Sequence, residues 1–296
     1  MNRMPLAKRA QILGMLVEGN SLRATARMAD CSLNTVTKLL LEVGAACEAY
    51  QDDALRNLKC KRVQADEIWS FVYAKAKNAP GHKKVKGQAG DCWTWTALCA
   101  DSKLIVSWMV GDRNASIANR FMADVSNRLA DRVQLTTDGH KVYINAVSNA
   151  FGQDIDYAML VKVYGAAGDP TDPARRYSPG ECCGTETQMV CGNPDEKHIS
   201  TSFVERQNLT MRMGMRRFTR LTNGFSKKVE NHCAAIALHF MHYNFGRVHK
   251  TLRVTPAMEA GVAGHVWTLA EIAALVPGPV ASKRGPYKPR DQQKAR

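Results

Sequence analysis

The chain is expected to be an α/β protein, a mixed β-sheet flanked by helices, preceded by a small N-terminal helical module. Three observations carry this. Strand-favouring runs rich in Trp, Val, Ile, Thr and Phe open the central region as a hairpin, strand-like and helix-like segments alternate beyond it, and residues 1–47 show only helical spacing. A length of 296 residues at 45% apolar composition can bury a sizeable core, and it leaves room for one larger domain with a small module attached.

The first segment reads as three short helices. Residues 5–18 place Ile12, Leu13, Leu16 and Val17 on one face, Ser21 is an N-cap for 22–28, and Ser32 caps 33–43 after a turn at Asp30 and Cys31. That is a helix-turn-helix pattern. In such a motif the second helix lies in the major groove of DNA, which makes Ser32, Asn34, Thr35, Thr37 and Lys38 candidates to meet bases or phosphates and Arg23 and Arg27 candidates to hold the backbone. A helical bundle mediating only dimer contacts is the alternative.

Residues 48–61 are polar and charged and read as a linker helix. Strands are then expected over 63–73, 92–100 and 104–110, with Asp101-Ser102-Lys103 as the hairpin turn. A helix with Ser116 as its N-cap is expected over 116–129, a strand over 133–137, a helix over 140–151 and a strand over 157–164. Residues 165–194 carry Gly, Pro, Asp and Thr without periodicity and read as a long loop; two helices follow, from about Ser202 and over 226–244. This gives a module at 1–47, a linker at 48–61, a main domain at 62–256 and a C-terminal segment at 257–296.

The formal net charge of +14 points to a polyanionic partner, because lysines and arginines aligned on phosphates release condensed counterions. The excess is concentrated. Residues 73–90 hold five lysines and no acid, residues 205–228 hold seven basic residues against Glu205 alone, and the tail carries Lys283, Arg284, Lys288, Arg290, Lys294 and Arg296. The first two read as walls of a nucleic-acid channel and the third as a basic arm.

Nine cysteines occur without a Cys-x-x-Cys pair, and no secretory signal or ~20-residue apolar run is visible, so free thiols in a reducing, cytoplasmic compartment and no membrane partner are expected. Cys182, Cys183, Cys191 and His198 have zinc-ligand chemistry, but adjacent cysteines fit the usual spacing poorly. His232, His239 and His242 lie on one helical segment with Val229, Cys233, Ile236 and Phe240, which favours packing over metal binding.

Three carboxylates stand out, each in its own motif: Asp66 in Gln64-Ala-Asp-Glu-Ile-Trp-Ser-Phe-Val72, Asp138 in Thr136-Thr-Asp-Gly-His140, and Glu205 in Ser202-Phe-Val-Glu-Arg-Gln-Asn208. Carboxylate oxygens hold hard divalent cations, and a metal pair can clamp both oxygens of a phosphodiester displacement. Each acid has a structural alternative. Asp66 or Glu67 faces solvent on a half-exposed strand, since alternation keeps the two from one site; Asp138-Gly139 is a turn; Ser202 to Glu205 matches a capping box. Glu205 shares a helix face with Asn208 and Arg212, three and seven residues on, which would line a groove with an acid, an amide and a cation.

Together these blocks resemble a known family. Asp66-Glu-Ile-Trp-Ser-Phe-Val72, Trp93-Thr-Trp-Thr-Ala-Leu-Cys99, Gly111-Asp-Arg113, Thr137-Asp-Gly139, Phe203-Val-Glu-Arg-Gln-Asn-Leu-Thr-Met-Arg212 and Arg217-Phe-Thr-Arg-Leu-Thr-Asn-Gly-Phe-Ser226 are similar to segments of the transposases of the insertion sequence one family. Tyr243-Asn244, Arg247, His249, Leu252 and Thr255-Pro256 also resemble a segment that ends many integrase-like transposase domains. The resemblance implies an RNase H-like fold with a DDE triad of Asp66, Asp138 and Glu205 binding Mg2+ or Mn2+. It also implies terminal inverted repeats and target DNA as double-stranded DNA partners, and at least a dimer to bring two ends together. Arg212 fills the position of a basic residue that recurs seven after the Glu, and Asn208, Arg216 and Arg217 complete the candidate DNA contacts.

One departure is expected to matter. Relatives often begin with a cysteine-rich zinc element ahead of the helices, which this sequence does not show, so terminal-repeat recognition would be organised differently. A tyrosine recombinase built on Tyr143 or Tyr243 would need a His-x-x-Arg box upstream, and none precedes either. A helix-turn-helix repressor with a catalytically silent second domain is the alternative function.

Overall fold

The computed structural model describes residues 4–85, 87–165, 182–219 and 222–278. Its centre is one six-stranded sheet built from β1 (Arg62–Val72), β2 (Gly90–Cys99), β3 (Ile105–Gly111), β4 (Gln134–Asp138), β5 (Asp156–Tyr164) and β6 (Cys182–Cys191), in the order β3-β2-β1-β4-β5-β6. β1, β2 and β3 form an antiparallel meander, β1, β4 and β5 run parallel, and β6 returns antiparallel to β5. That mixed order, with helices on both faces, is RNase H-like.

The meander follows from its side chains. Trp93, Trp95 and Trp69 favour an extended, half-buried surface, and Lys103, held at φ 61°, closes the turn by donating its amide to Cys99 O at 2.9 Å. The parallel strands need crossovers, which α5 (Ala115–Arg128) and α6 (Val142–Phe151) supply. Asn114, rather than Ser116, caps α5, accepting the Ile117 amide at 3.0 Å.

Successive residues of β1 address opposite faces, as the pleat requires. Gln64, Asp66 and Ser70 meet α7 (Ser202–Gly214) and α8 (Val229–Met241), whereas Glu67 meets α6. Trp95, Phe121 and Tyr143 pack between the sheet and the α5–α6 layer.

The N-terminal helices are α1 (Leu6–Val17), α2 (Leu22–Met28) and α3 (Leu33–Ala54). Ser21 and Ser32 cap as the sequence indicates, accepting from Ala24 N at 3.0 Å and Thr35 N at 3.1 Å. The expected break after residue 43 does not occur, and the first half of the expected linker, residues 48–54, is the end of α3. Gly44, the one breaking signal, sits where α3 closes on α8: a Cβ there would fall 2.5 Å from that of Ala234. A short α4 (Gly81–Val85) follows β1, and α9 (Pro256–Glu259) and α10 (Leu269–Ala274) end the described chain. Arg9 donates to Ala273 O at 2.9 Å, tying α1 to α10.

β6 corrects the expected loop over 165–194. Eight of its ten residues are exposed, so no apolar alternation marks it as a strand, and its order comes from pairing with β5. Residues 166–181 and the basic tail after residue 281 lie outside the described residues.

Candidate acidic site

β1 and β4 lie side by side and parallel, with Ala65 opposite Thr137, so Asp66 and Asp138 stand next to one another at the ends of their paired segments. Asp66, Glu67 and Asp138 each offer a carboxylate oxygen, all within 4.8 Å of one another. Among the described residues this is the one group of three or more such side chains that could hold a metal ion. Asp138 is the last residue of β4, at the carboxyl end where open α/β sheets gather functional groups, whereas Asp66 lies in the middle of β1.

Glu67 corrects the sequence expectation. Its side chain does point away from that of Asp66, but alternation fixes direction and not reach, and beside the end of β4 the two carboxylates still converge. Glu67 is fully enclosed and accepts from Arg113 Nε at 2.6 Å and from the Tyr143 hydroxyl at 2.9 Å. Arg113 also lies 3.6 Å from Asp138 and over the Trp93 ring, 4.9 Å from its centroid. Asp138 serves two purposes, since Oδ1 accepts the His140 amide at 3.0 Å as the turn expectation requires, while Oδ2 faces Arg113.

Glu205 stands outside this group of three and is not in a capping box. Thr201 is the N-cap residue of α7, and the Phe203 and Val204 amides donate instead to Gln64 Oε1 of β1, at 2.9 and 3.1 Å. Glu205 accepts from Thr201 Oγ1 and from Lys162 Nζ, both at 2.5 Å. Three residues on, buried Asn208 donates its amide to Asp66 Oδ2 at 2.8 Å. The helix face predicted from spacing is therefore present, with Asn208 turned to the acids and Arg212 exposed at its far end.

Burial pushes the Asp66 carboxyl up to about 7, and the charges of Asp138, Glu67 and Glu205 push the same way against the Glu67 amide. Glu67 is also raised, by burial and then Asp138, with Arg113 opposing. His140 is lowered by burial and by Arg113; its Nε2 is buried with no hydrogen-bond partner, 3.9 Å from Glu67. This site concentrates more negative charge than its cations offset. The Asn208 Oδ1, buried and without a partner, adds an unclaimed oxygen acceptor. Crowded carboxylates with a spare neutral oxygen are the donor chemistry of a hard divalent cation.

The other candidates are spread over the surface. Arg23, Arg27, Ser32, Asn34 and Lys38 are exposed on α2 and the first turns of α3, with Thr35 half-buried and Lys38 3.7 Å from Glu42. Arg216 is exposed after α7, whereas Arg217 turns inward, donates to Ser226 at 2.8 Å, and is pushed down to about 10 by burial. Of the five lysines over 73–90, Lys83 lies over the Tyr73 ring and Lys75 over Trp69.

Cys182 and Cys191 sit at opposite ends of β6 and His198 pairs with Asp195, so the zinc alternative has no cluster behind it. His232 bonds Ser70 at 3.1 Å within the core and His239 is likewise buried. Tyr243 donates to Lys103 O at 3.1 Å, and Asn244 pairs with both backbone groups of Ile105, at 2.9 and 3.1 Å. These two motif residues therefore hold the turn after α8 to the β2–β3 hairpin.

Sequence reasoning did not single out Gln64, Arg113, Tyr143 or Lys162 for these roles. Arg113 lay in a quoted motif and Tyr143 had been weighed only as a nucleophile; Lys162 gives no local signal.

No family model and no curated protein matches the chain. Similar solved structures include a piggyBac transposase synaptic complex with hairpin DNA, at 9% identity and a TM-score of 0.43 over 92% of this chain and 70% of that one. A Mos1 transposase paired-end complex with the left transposon end matches at 12% identity and 0.24, over 53% of this chain and 60% of that one. A pre-cleavage Mos1 transpososome matches at 8% and 0.25, over 82% and 79%. At these identities and scores the likeness reaches no individual residue.

Proposed function

We propose that the chain is a DNA transposase of the DDE type, similar to those of the insertion sequence one family, which cuts DNA at transposon ends and joins the freed 3′-hydroxyl to target DNA. The observation that carries this reading is the convergence of Asp66 and Asp138 from adjacent parallel strands, with Asn208 of α7 bonded to Asp66 and Glu205, three residues before it, close enough for its charge to act on Asp66. The strongly basic composition supplies the matching electrostatics for a polyanion.

Asp66, Asp138 and Glu205 would hold Mg2+ or Mn2+. Such an ion, when bound, activates water and neutralises charge on the scissile phosphate. Asn208 orients Asp66, while Arg113 keeps Glu67 and Asp138 close despite their mutual repulsion. Glu205 is held beside the site by Lys162 and Thr201, a cation and a hydroxyl that a bound metal and DNA phosphate would replace. Arg212 and Arg216 lie along and just beyond the same helix, where phosphates of the bound strand would pass. Arg23, Arg27, Ser32, Asn34, Thr35 and Lys38 of the helical module would contact terminal repeats, and two ends require two copies of the chain.

The test is nicking and strand transfer on DNA that flanks the chain's own coding sequence, with Mg2+ or Mn2+. Asp66→Ala, Asp138→Ala and Glu205→Gln are each expected to abolish product while leaving DNA binding intact. Persistent nicking by any of them removes that acid from the triad. Binding by the wild-type chain without any cleavage favours the repressor reading instead.

A further inference from the structure

Away from the acidic site, a cleft of about 760 Å³ lies between the helical module and the segment joining α7 to α8. Its lining combines two chemistries. Arg23, Arg216, Arg217 and Lys227 bring cations and, among the described residues, none that lines the cleft is acidic, while Leu16, Leu40, Met215 and Phe225 bring apolar wall. His239, 7% exposed, also lines it, and its Nε2 is buried with no hydrogen-bond partner. Gly224 shapes one side: a Cβ there would fall 2.8 Å from Arg216 O, so the Asn223–Phe225 loop lies flat on the turn after α7. Phe225 is thereby fixed with one side against Phe71, their ring centroids 5.0 Å apart, while remaining part of the cleft wall.

We propose that this cleft binds a nucleoside monophosphate unit, with its base on the apolar wall beside Phe225 and its phosphate on Arg23, Arg216 and Lys227. The lack of acids among the described lining residues selects against a cationic peptide, and the apolar interior distinguishes the cleft from a plain phosphate track. Size agrees, since pockets of roughly 300 to 1,000 Å³ hold ligands of this class. Two sources share this chemistry, an unpaired nucleotide of a bound DNA strand and a free nucleotide. The cleft begins at the C-terminal end of the helix that carries Glu205, which favours the strand.

The inference rests on the nucleic-acid reading above but not on catalysis, so binding is measured by fluorescence anisotropy with divalent metal chelated. One labelled duplex is fully paired and a second carries two unpaired nucleotides at one end. The overhang is expected to bind roughly 5-fold or more tightly, the low end of what base–aromatic stacking contributes. Phe225→Ala and Thr37→Trp, the latter filling the cleft from α3, should each bring the two duplexes to parity. Lys227→Glu, at an exposed position, should weaken binding of the overhang more than that of the paired duplex. Competition by dAMP but not by inorganic phosphate would identify recognition of base plus phosphate, and dAMP binding without overhang preference would assign the cleft to a free nucleotide. Equal binding of both duplexes with no effect of dAMP overturns the proposal. So does an overhang preference that survives both Phe225→Ala and Thr37→Trp in folded protein.

Discussion

Asn208 donates its side-chain amide to Asp66 Oδ2 at 2.8 Å, joining α7 to the centre of the sheet across 142 residues of chain. The contact fixes where the helix lies and which way the carboxylate turns. Removing a residue that orients a metal ligand typically costs about 10–100-fold in metal affinity. Asn208→Leu is accordingly expected to raise the Mn2+ concentration for half-maximal nicking by about that factor while DNA affinity is unchanged. Titration of nicking against Mn2+, with DNA binding measured separately, checks this; weaker DNA binding at an unchanged metal requirement would make Asn208 a DNA contact instead.

Tyr143 is fully buried and its hydroxyl is spent on Glu67 at 2.9 Å. Tyr143→Phe leaves one oxygen of an enclosed carboxylate without its donor, which costs about 1–3 kcal/mol. Chemical denaturation should show that loss, and nicking should continue in the folded variant. Abolished nicking, with a covalent protein–DNA adduct in the wild type, would revive the tyrosine nucleophile.

Acid should destabilise the protein through its buried histidines. His232 and His239 are each pushed down to about 3, chiefly by burial, against 6.5 for the free side chain. Their neutral forms belong to the fold, so between pH 6.5 and 3 the unfolded chain binds more protons and stability falls as pH falls. At about 1.4 kcal/mol per pH unit, each contributes a loss of about 2 kcal/mol by pH 5. Asp66, pushed up to about 7, acts in the opposite direction over the same window, so the test is differential: the change in urea midpoint from pH 7 to pH 5 should be less unfavourable in a folded His239→Phe variant than in the wild type, and an equal change would place the acid sensitivity elsewhere.

Local chemistry explains what was legible in the sequence. Ser21 and Ser32 cap their helices because the acceptor and the amide it serves are three residues apart, and the 101–103 turn is equally local. The helix face shared by Glu205, Asn208 and Arg212 followed from spacing alone. What sequence missed has partners far along the chain. The amides at the start of α7 are capped by Gln64, some 140 residues away, so a nearby Ser and Glu misled. β6 is exposed on both faces and has no pattern of its own to read. Glu67 escaped because alternation describes where a side chain starts and the site depends on where it ends.

The long helix α3 makes the last prediction one about architecture. Gly44 stands where α3 meets α8, and an added Cβ would lie 2.5 Å from Ala234 Cβ and 2.7 Å from its carbonyl oxygen. Gly44→Ala gains about 1 kcal/mol of helix propensity. Against that, backbone cannot yield as a flexible side chain would, and overpacking costs about 1–3 kcal/mol or occasionally more. Net destabilisation is therefore expected, with only partial rescue by Ala234→Gly, because the Ala234 Cα and carbonyl remain in the way. Since α3 runs from the capped turn at Ser32 to the core contact at Gln51, loosening it should lower one cooperative melting transition. Two transitions in calorimetry, with only one shifted by Gly44→Ala, would show instead that the helical module unfolds apart from the sheet.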